Sequence, residues 1–169
     1  MKSRTFAQIV GVCLLLAGTF NRAFSEELTF ATPDGAPVSV SSMQGRVVVL
    51  MFSGIQDPQC RDEIKALASL GERYNGRPVS VYWVSVNSDR EASNDRIKRP
   101  CGDPGSVPVL RLADPNAFKR IAAKSQSLPT VVVLNKQGQP FGQPRSGFNP
   151  NSDFVNDIAQ MVDSLLSQK

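Results

Sequence analysis

The sequence predicts an α/β protein, a central mixed β-sheet flanked by helices on both faces. Three observations lead there. VVVLMF, residues 47–52, is an unbroken apolar run rich in β-branched residues, the pattern of a strand covered on both faces. Strand-like and helix-like stretches then alternate along the chain. Finally, TVVVLN runs into KQG and a second short strand, which reads as a hairpin and makes the sheet mixed rather than purely parallel.

Taken in order, residues 26–45 form an entry region with a turn at Pro33-Asp34-Gly35 and a brief alternating strand at Val38–Val40. The 47–52 strand follows. Residues 58–74 carry Ile64, Leu67, Ala68 and Leu70 at helical spacing, with Pro58 suited to a first turn and Asp57 to the N-cap. VSVYWVSVN, residues 79–87, is the next strand, with Trp83 expected in the core. Residues 89–99 are polar, a helix or a loop, and PCGDPGSVP, residues 100–108, is a loop by its proline and glycine content. VLRLAD leads to a helix near 115–125. The hairpin comes next, and residues 151–167 close the chain as a helix with Phe154, Ile158, Met161, Val162 and Leu165 on one face. The predicted order after the entry region is β-α-β-α-β-β-α. No repeat, linker or low-complexity segment interrupts it.

Residues 1–25 are set apart from this domain. Lys2 and Arg4 precede the apolar run IVGVCLLLAGTF, which is short for a membrane span, and Ala23-Phe24-Ser25 places small residues where a signal peptidase reads. The expectation is a signal peptide cleaved after Ser25, leaving residues 26–169 as one domain, periplasmic or secreted; an uncleaved anchor is the alternative. Val12 is too bulky for lipoprotein processing at Cys13. Removing the leader takes away Lys2, Arg4 and Arg22 and no acid, so a net charge of +4 falls to +1. Nothing then argues for nucleic acid. Arg90, Arg96, Lys98 and Arg99 are interrupted by Glu91 and Asp95 and read as a solvated stretch.

The mature chain keeps two cysteines, Cys60 and Cys101, and in an oxidising compartment two thiols often become one disulfide. Histidine is absent from the whole chain, which removes Ser-His and Cys-His catalysis and weakens any zinc or copper site. Asp57, Asp62 and Glu63 read as helix-dipole and capping residues rather than ligands. No cofactor or metal is expected. At Cys60 the helix N-terminus favours a thiolate by ~0.3–2 kcal/mol. A charge on Asp57 about 6 Å away opposes it by ~0.7–2.8 kcal/mol. The thiol is therefore expected to titrate near its ordinary value.

GRVVVLMFSGIQDPQC, residues 45–60, resembles the GKVVLVNFWATWCPPC stretch of TlpA-type thioredoxin-like proteins. Leu128-Pro129-Thr130 resembles their cis-proline segment, and NKQGQ the hairpin after it. The resemblance spans roughly residues 28–167 and implies a thioredoxin-like fold. It places the second active-site cysteine on Cys60, the cis-proline on Pro129 and the first cysteine on Asp57, which cannot form a disulfide. Peroxiredoxins of the same superfamily offer a second comparison: Cys60 matches their reacting cysteine, while Ser53 and Asp57 stand where their motif has proline and threonine. DREASNDRIKRPCG, residues 89–102, resembles the stretch in which two-cysteine thiol peroxidases carry a resolving cysteine, which implies that role for Cys101. The reading is an exported thiol-disulfide oxidoreductase acting through Cys60, with Cys101 as its resolving partner and Pro129 and Asp57 completing the site. Its partners would be protein thiols or disulfides, or a peroxide, together with an outside reductant. A thiol peroxidase, or a redox-inert binding module on the same scaffold, is the alternative.

Overall fold

The computed structural model describes residues 28–102, 107–113, 118 and 127–168. The signal-peptide reading of residues 1–25 and most of the expected 115–125 helix lie outside them. The described strands are β1 (Thr29–Ala31), β2 (Pro37–Ser39), β3 (Val47–Ser53), β4 (Val79–Ser85), β5 (Val109–Leu112), β6 (Thr130–Leu134) and β7 (Arg145–Ser146). The helices are α1 (Cys60–Arg73), α2 (Asn94–Lys98) and α3 (Phe154–Ser167), with short 3-10 turns at Val40–Met43 and Pro100–Gly102.

The strands form one mixed sheet in the order β2-β1-β5-β4-β3-β6-β7. β3 runs parallel to β4, with Val47 opposite Val79 and Ser53 opposite Ser85, and antiparallel to β6, with Phe52 opposite Thr130. All seven residues of β3 are buried, as a strand with neighbours on both edges and layers on both faces requires.

Alternation within the strands builds two cores. Val47, Val49, Met51, Val81, Trp83, Val131 and Val133 face α1 and α3, which contribute Ile64, Leu67, Leu70, Ile158, Ala159, Val162 and Leu165. Val48, Leu50, Phe52, Val84, Val132 and Leu134 face the other way, toward Leu28, Phe30, Val40, Met43 and Phe118. The fold is thus α/β as expected. Among the described residues its two long helices share one face, and the entry region covers the other.

Several expectations shift in detail. The entry region joins the sheet: β1 and β2 pair as a hairpin whose turn is closed by Gly35 N donating to Thr32 O (2.8 Å), and β1 also pairs with β5. The alternating strand ends at Ser39, and Val40 begins a 3-10 turn capped by the Ser39 hydroxyl. VLRL is a strand, β5, and not only an approach to a helix. A charged residue in its middle hid the pattern, because Arg111 is buried by partners the sequence does not reveal. At the second hairpin, Asn135 Oδ1 accepts from Gln137 N (3.0 Å) and Gln139 N (2.9 Å). Gly138 adopts φ 77°, and a Cβ there would stand 2.8 Å from the Val40 side chain, so only glycine fits.

Ile158 joins α3 to α1 and the sheet and is fully buried. Truncating Ile158→Ala should cost about 2–5 kcal/mol through the lost contacts and the cavity left behind. Urea unfolding with the disulfide intact measures it; a loss below about 1 kcal/mol would mean that the α3 interface contributes little.

Candidate functional site

The carboxyl end of β3 delivers the chain to the site. After Ser53 the backbone turns, Asp57 N donates to Gly54 O (3.0 Å) and Cys60 N to Asp57 O (3.1 Å), and α1 begins at Cys60. The N-cap position is Gln59 rather than Asp57. The Asp57 carboxylate instead accepts from Gln59 N at 2.8 Å, closing the turn ahead of the helix. Asp57 is half-buried and Pro58 exposed, outside the helix it was expected to open.

Cys60 is bonded to Cys101 in a disulfide, with Cα atoms 5.8 Å apart across 41 positions of sequence. The span is ordinary for such a bridge. Constraint of a loop this long is worth about 4 kcal/mol in the chain-entropy account. Cys60 is 2 % exposed, beneath the start of α1. Cys101 is only partly buried, and it packs at the edge of the core that α1 and α3 share with the sheet. Its backbone is unusual, with φ 58° and ψ 19°, a left-handed conformation that costs a non-glycine residue roughly 1–2 kcal/mol. Gly102 follows with φ 78°, and its N–H donates to Arg99 O.

Pro129 lies where the expected motif order puts it. The Leu128–Pro129 bond is cis, Pro129 is buried, and it immediately precedes the Thr130 that pairs with Phe52. It therefore sits at the end of the sheet from which the Cys60 loop departs. Gly147 N donates to Pro129 O (2.8 Å). Leu128 beside it is 38 % exposed, the one large apolar side chain so open among the described residues.

The residue that sequence reading missed is Glu63. Expected to serve the helix dipole from the surface, it is fully buried, and Trp83 Nε1 donates to its Oε2 at 3.3 Å. The Ser53 hydroxyl is close enough to favour the carboxylate, yet Ser53 Oγ and Glu63 Oε1 do not attain hydrogen-bond geometry. Burial raises the Glu63 pKa from 4.5 to about 7; Ser53 and Trp83 pull it down, and Asp57 adds a smaller push upward. A signal was present: positions 60, 63, 64, 67 and 70 form one helical stripe, and Glu63 lies three residues after Cys60 on the same face. Asp62 and Arg61 point outward, Asp62 pairing with Lys65 at 3.2 Å. Among the described residues no cluster of potential metal ligands occurs.

The redoxin family profile matches residues 17–140. The chain is a member of the redoxin family. Solved structures of thioredoxin-like proteins share its fold at low sequence identity. A thiol:disulfide interchange protein of the thioredoxin family from Chlorobium tepidum is 23 % identical, with 82 % of this chain and 92 % of that one covered and a TM-score of 0.63. An exposed lipoprotein thioredoxin from Streptococcus pneumoniae is 18 % identical, with 81 % and 98 % covered and a TM-score of 0.64. A Sco-family cytochrome c oxidase assembly protein with a disulfide switch is 16 % identical, with 83 % and 92 % covered and a TM-score of 0.62. No curated protein sequence matches the chain. This redoxin therefore has the thioredoxin-like fold, with its disulfide drawn between a helix start and a distant loop instead of two neighbouring cysteines.

The raised Glu63 pKa fixes a pH dependence. Between pH 4.5 and about 7 the folded redoxin holds a proton that the unfolded chain has released, so stability falls as pH rises through that window and levels off above it. The full change should reach about 3 kcal/mol. Glu63→Gln should flatten this part of the curve. Urea unfolding of both proteins from pH 4 to 8 provides the comparison, and parallel curves would mean that Glu63 ionises normally.

Proposed function

We propose that this redoxin is an exported thiol-disulfide oxidoreductase whose working group is the Cys60–Cys101 disulfide. The observation that carries the reading is the bridge itself: Cys101 supplies, from a remote loop, the second sulfur that Asp57 cannot. A leader-like N-terminus and a disulfide both suit an oxidising compartment. Among the described residues no helix is long and apolar enough to cross a membrane.

Exposure suggests the order of events. Cys101 is the more exposed residue of the pair and Cys60 is enclosed, so we take Cys101 as the one an outside thiolate meets first. A partner thiolate attacks Cys101 Sγ, forming a mixed disulfide there and releasing Cys60 as a thiolate. Cys60 leaves at the N-terminus of α1, where the helix dipole favours negative charge. Glu63 holds a proton below about pH 7 and shares the buried face of the helix with Cys60, and we read it as the group that protonates the Cys60 thiolate. The partner's second thiolate then attacks the partner sulfur of the mixed disulfide and frees Cys101 as a thiolate. The partner leaves as a disulfide, two electrons having passed to Cys60 and Cys101. Run backward, the same steps reduce a partner disulfide. The roles that the resemblance implies for the two cysteines are thereby exchanged, Cys101 meeting the partner and Cys60 resolving.

A dithiol or disulfide protein fits this site better than a peroxide. The Asp57 carboxylate, at the position of the peroxidase threonine, already accepts from Gln59 N and has no hydroxyl to donate to a peroxide.

Thiol counting with peptide mapping tests the reading. The purified mature chain should begin at Glu26, carry no free thiol as isolated, and gain two on reduction. Cys60→Ser should capture a partner thiol as a stable mixed disulfide on Cys101, whereas Cys101→Ser should react at least about tenfold more slowly through the enclosed Cys60. Hydrogen peroxide should be consumed no faster than by the doubly substituted chain. Two thiols that stay free under oxidant would leave a redox-inert scaffold as the better description.

A further inference from the structure

The two cysteine-bearing loops are joined by a second connection besides the disulfide. Asn87 follows β4. Its Oδ1 accepts from Ile55 N at 2.9 Å, in the loop that leads to Cys60, and from the Ser85 hydroxyl at 3.4 Å. Gly54 packs against the same side chain: a Cβ there would meet Oδ1 at 3.7 Å. Asn87 thus reaches across from the segment that leads to Cys101 and holds the segment that leads to Cys60.

Asn87 is itself held from beneath. Arg111 of β5 is 8 % exposed, and its guanidinium spans the chain that runs toward Cys101. Nη1 donates to Asn87 O (3.3 Å) and pairs with the Asp89 carboxylate, and Nη2 donates to Ala92 O (2.6 Å). Between these anchor points Ser88 N and Oγ donate to Glu91 Oε2, closing the turn. From Ala92 the path to the disulfide is short and well fixed. Ser93 caps α2, Ile97 is buried, Pro100 is buried, and Cys101 follows in its left-handed conformation.

A costly backbone conformation persists only where the surroundings over-determine it. Two backbone carbonyls, that of Ala92 buried and that of Asn87 partly so, and the exposed Asp89 carboxylate are gathered by one buried guanidinium into a charge-assisted clamp. None of these atoms belongs to a cysteine, and Arg111 and Asn87 are expected to keep their arrangement when the disulfide opens.

We propose that Arg111 and Asn87 act as one pin that positions the Cys60 and Cys101 loops against each other, setting the effective concentration of one thiol at the other and hence how strongly the disulfide closes. They are positioning residues, acting through the loops and not on sulfur. The proposal rests on the oxidoreductase reading above. The step they serve is the intramolecular one: in a Cys101 mixed disulfide with an outside thiol, the Cys60 thiolate attacks Cys101 Sγ, the Cys60–Cys101 bond forms, and the outside thiol leaves as a thiolate that takes up a proton.

Equilibration of the purified protein with reduced and oxidised glutathione measures that closure directly. Asn87→Ala and Arg111→Gln should each lower the closure constant about tenfold, and the double variant should fall no further than the worse single one, since each breaks the same pin. Leu134→Ala, in the core on the other face of the sheet and at the end of β6 away from Thr130, is the stability control: at a comparable drop in Tm it should leave the constant within about twofold of wild type. Single variants that stay within that same range, or that move no more than the control, overturn the pin, as does a double variant whose losses multiply. A wild type that exchanges with glutathione while the variants are unmoved overturns the pin alone. A wild type whose cysteines neither form nor exchange the disulfide overturns the oxidoreductase reading and the pin with it.

Discussion

Everything near the disulfide depends on β3 being fully enclosed. A strand with neighbours on both edges and apolar layers on both faces leaves nowhere for a polar side chain to reach water, so its last residue, Ser53, is buried together with the carboxylate that α1 brings over it. The same enclosure fixes where the chain emerges. Beyond Ser53 it can only turn over the end of the sheet, where β4 also finishes, where β6 begins, and where Asn87 and Pro129 lie. One packing requirement thus collects Cys60, Glu63, Asn87 and Pro129 at one end of the molecule.

The enclosure has an electrostatic consequence. A carboxylate placed under a helix start would ordinarily be welcomed by the dipole, but burial outweighs that favour for Glu63, whose pKa is raised and not lowered. Trp83 supplies one N–H, and Ser53 falls short of a full hydrogen bond, so the charge is incompletely compensated. Such a group is a poor contributor to stability near neutral pH. Stability given up at Glu63 is offset elsewhere, in part by the cross-link above it.

Much of the fold was legible because it follows from periodicity. Continuous apolar β-branched runs gave β3 and β6, the β-branched and aromatic stretch around Trp83 gave β4, and the 3.6-residue stripe gave α1 and α3. Cys60, Cys101 and Pro129 were legible because their residue types are chemically conspicuous. What escaped was set by tertiary contacts. β5 was hidden by Arg111, whose charge argues against a buried strand until Asp89 and two carbonyls are brought to it. Glu63 was hidden because an acid in a first helical turn has an ordinary explanation at the surface. Asn87 was unreadable for a plainer reason: its importance lies in accepting from a backbone N–H 32 positions earlier, and nothing local marks it.

The loss of the first cysteine of the usual pair changes what the scaffold must supply. Two cysteines separated by two residues on a helix start are held together by local geometry alone. Cys60 and Cys101 are 41 positions apart, and their approach depends on how two separate loops are placed. Precision that a short motif obtains from the helix must here come from the sheet, the turn closed by Glu91, and the guanidinium beneath it. The left-handed backbone at Cys101 is the local cost of bringing a remote loop to a site laid out for a neighbour. A chain that keeps the thioredoxin-like fold while drawing its disulfide to another loop thereby transfers control of where its two sulfurs meet from sequence spacing to tertiary packing.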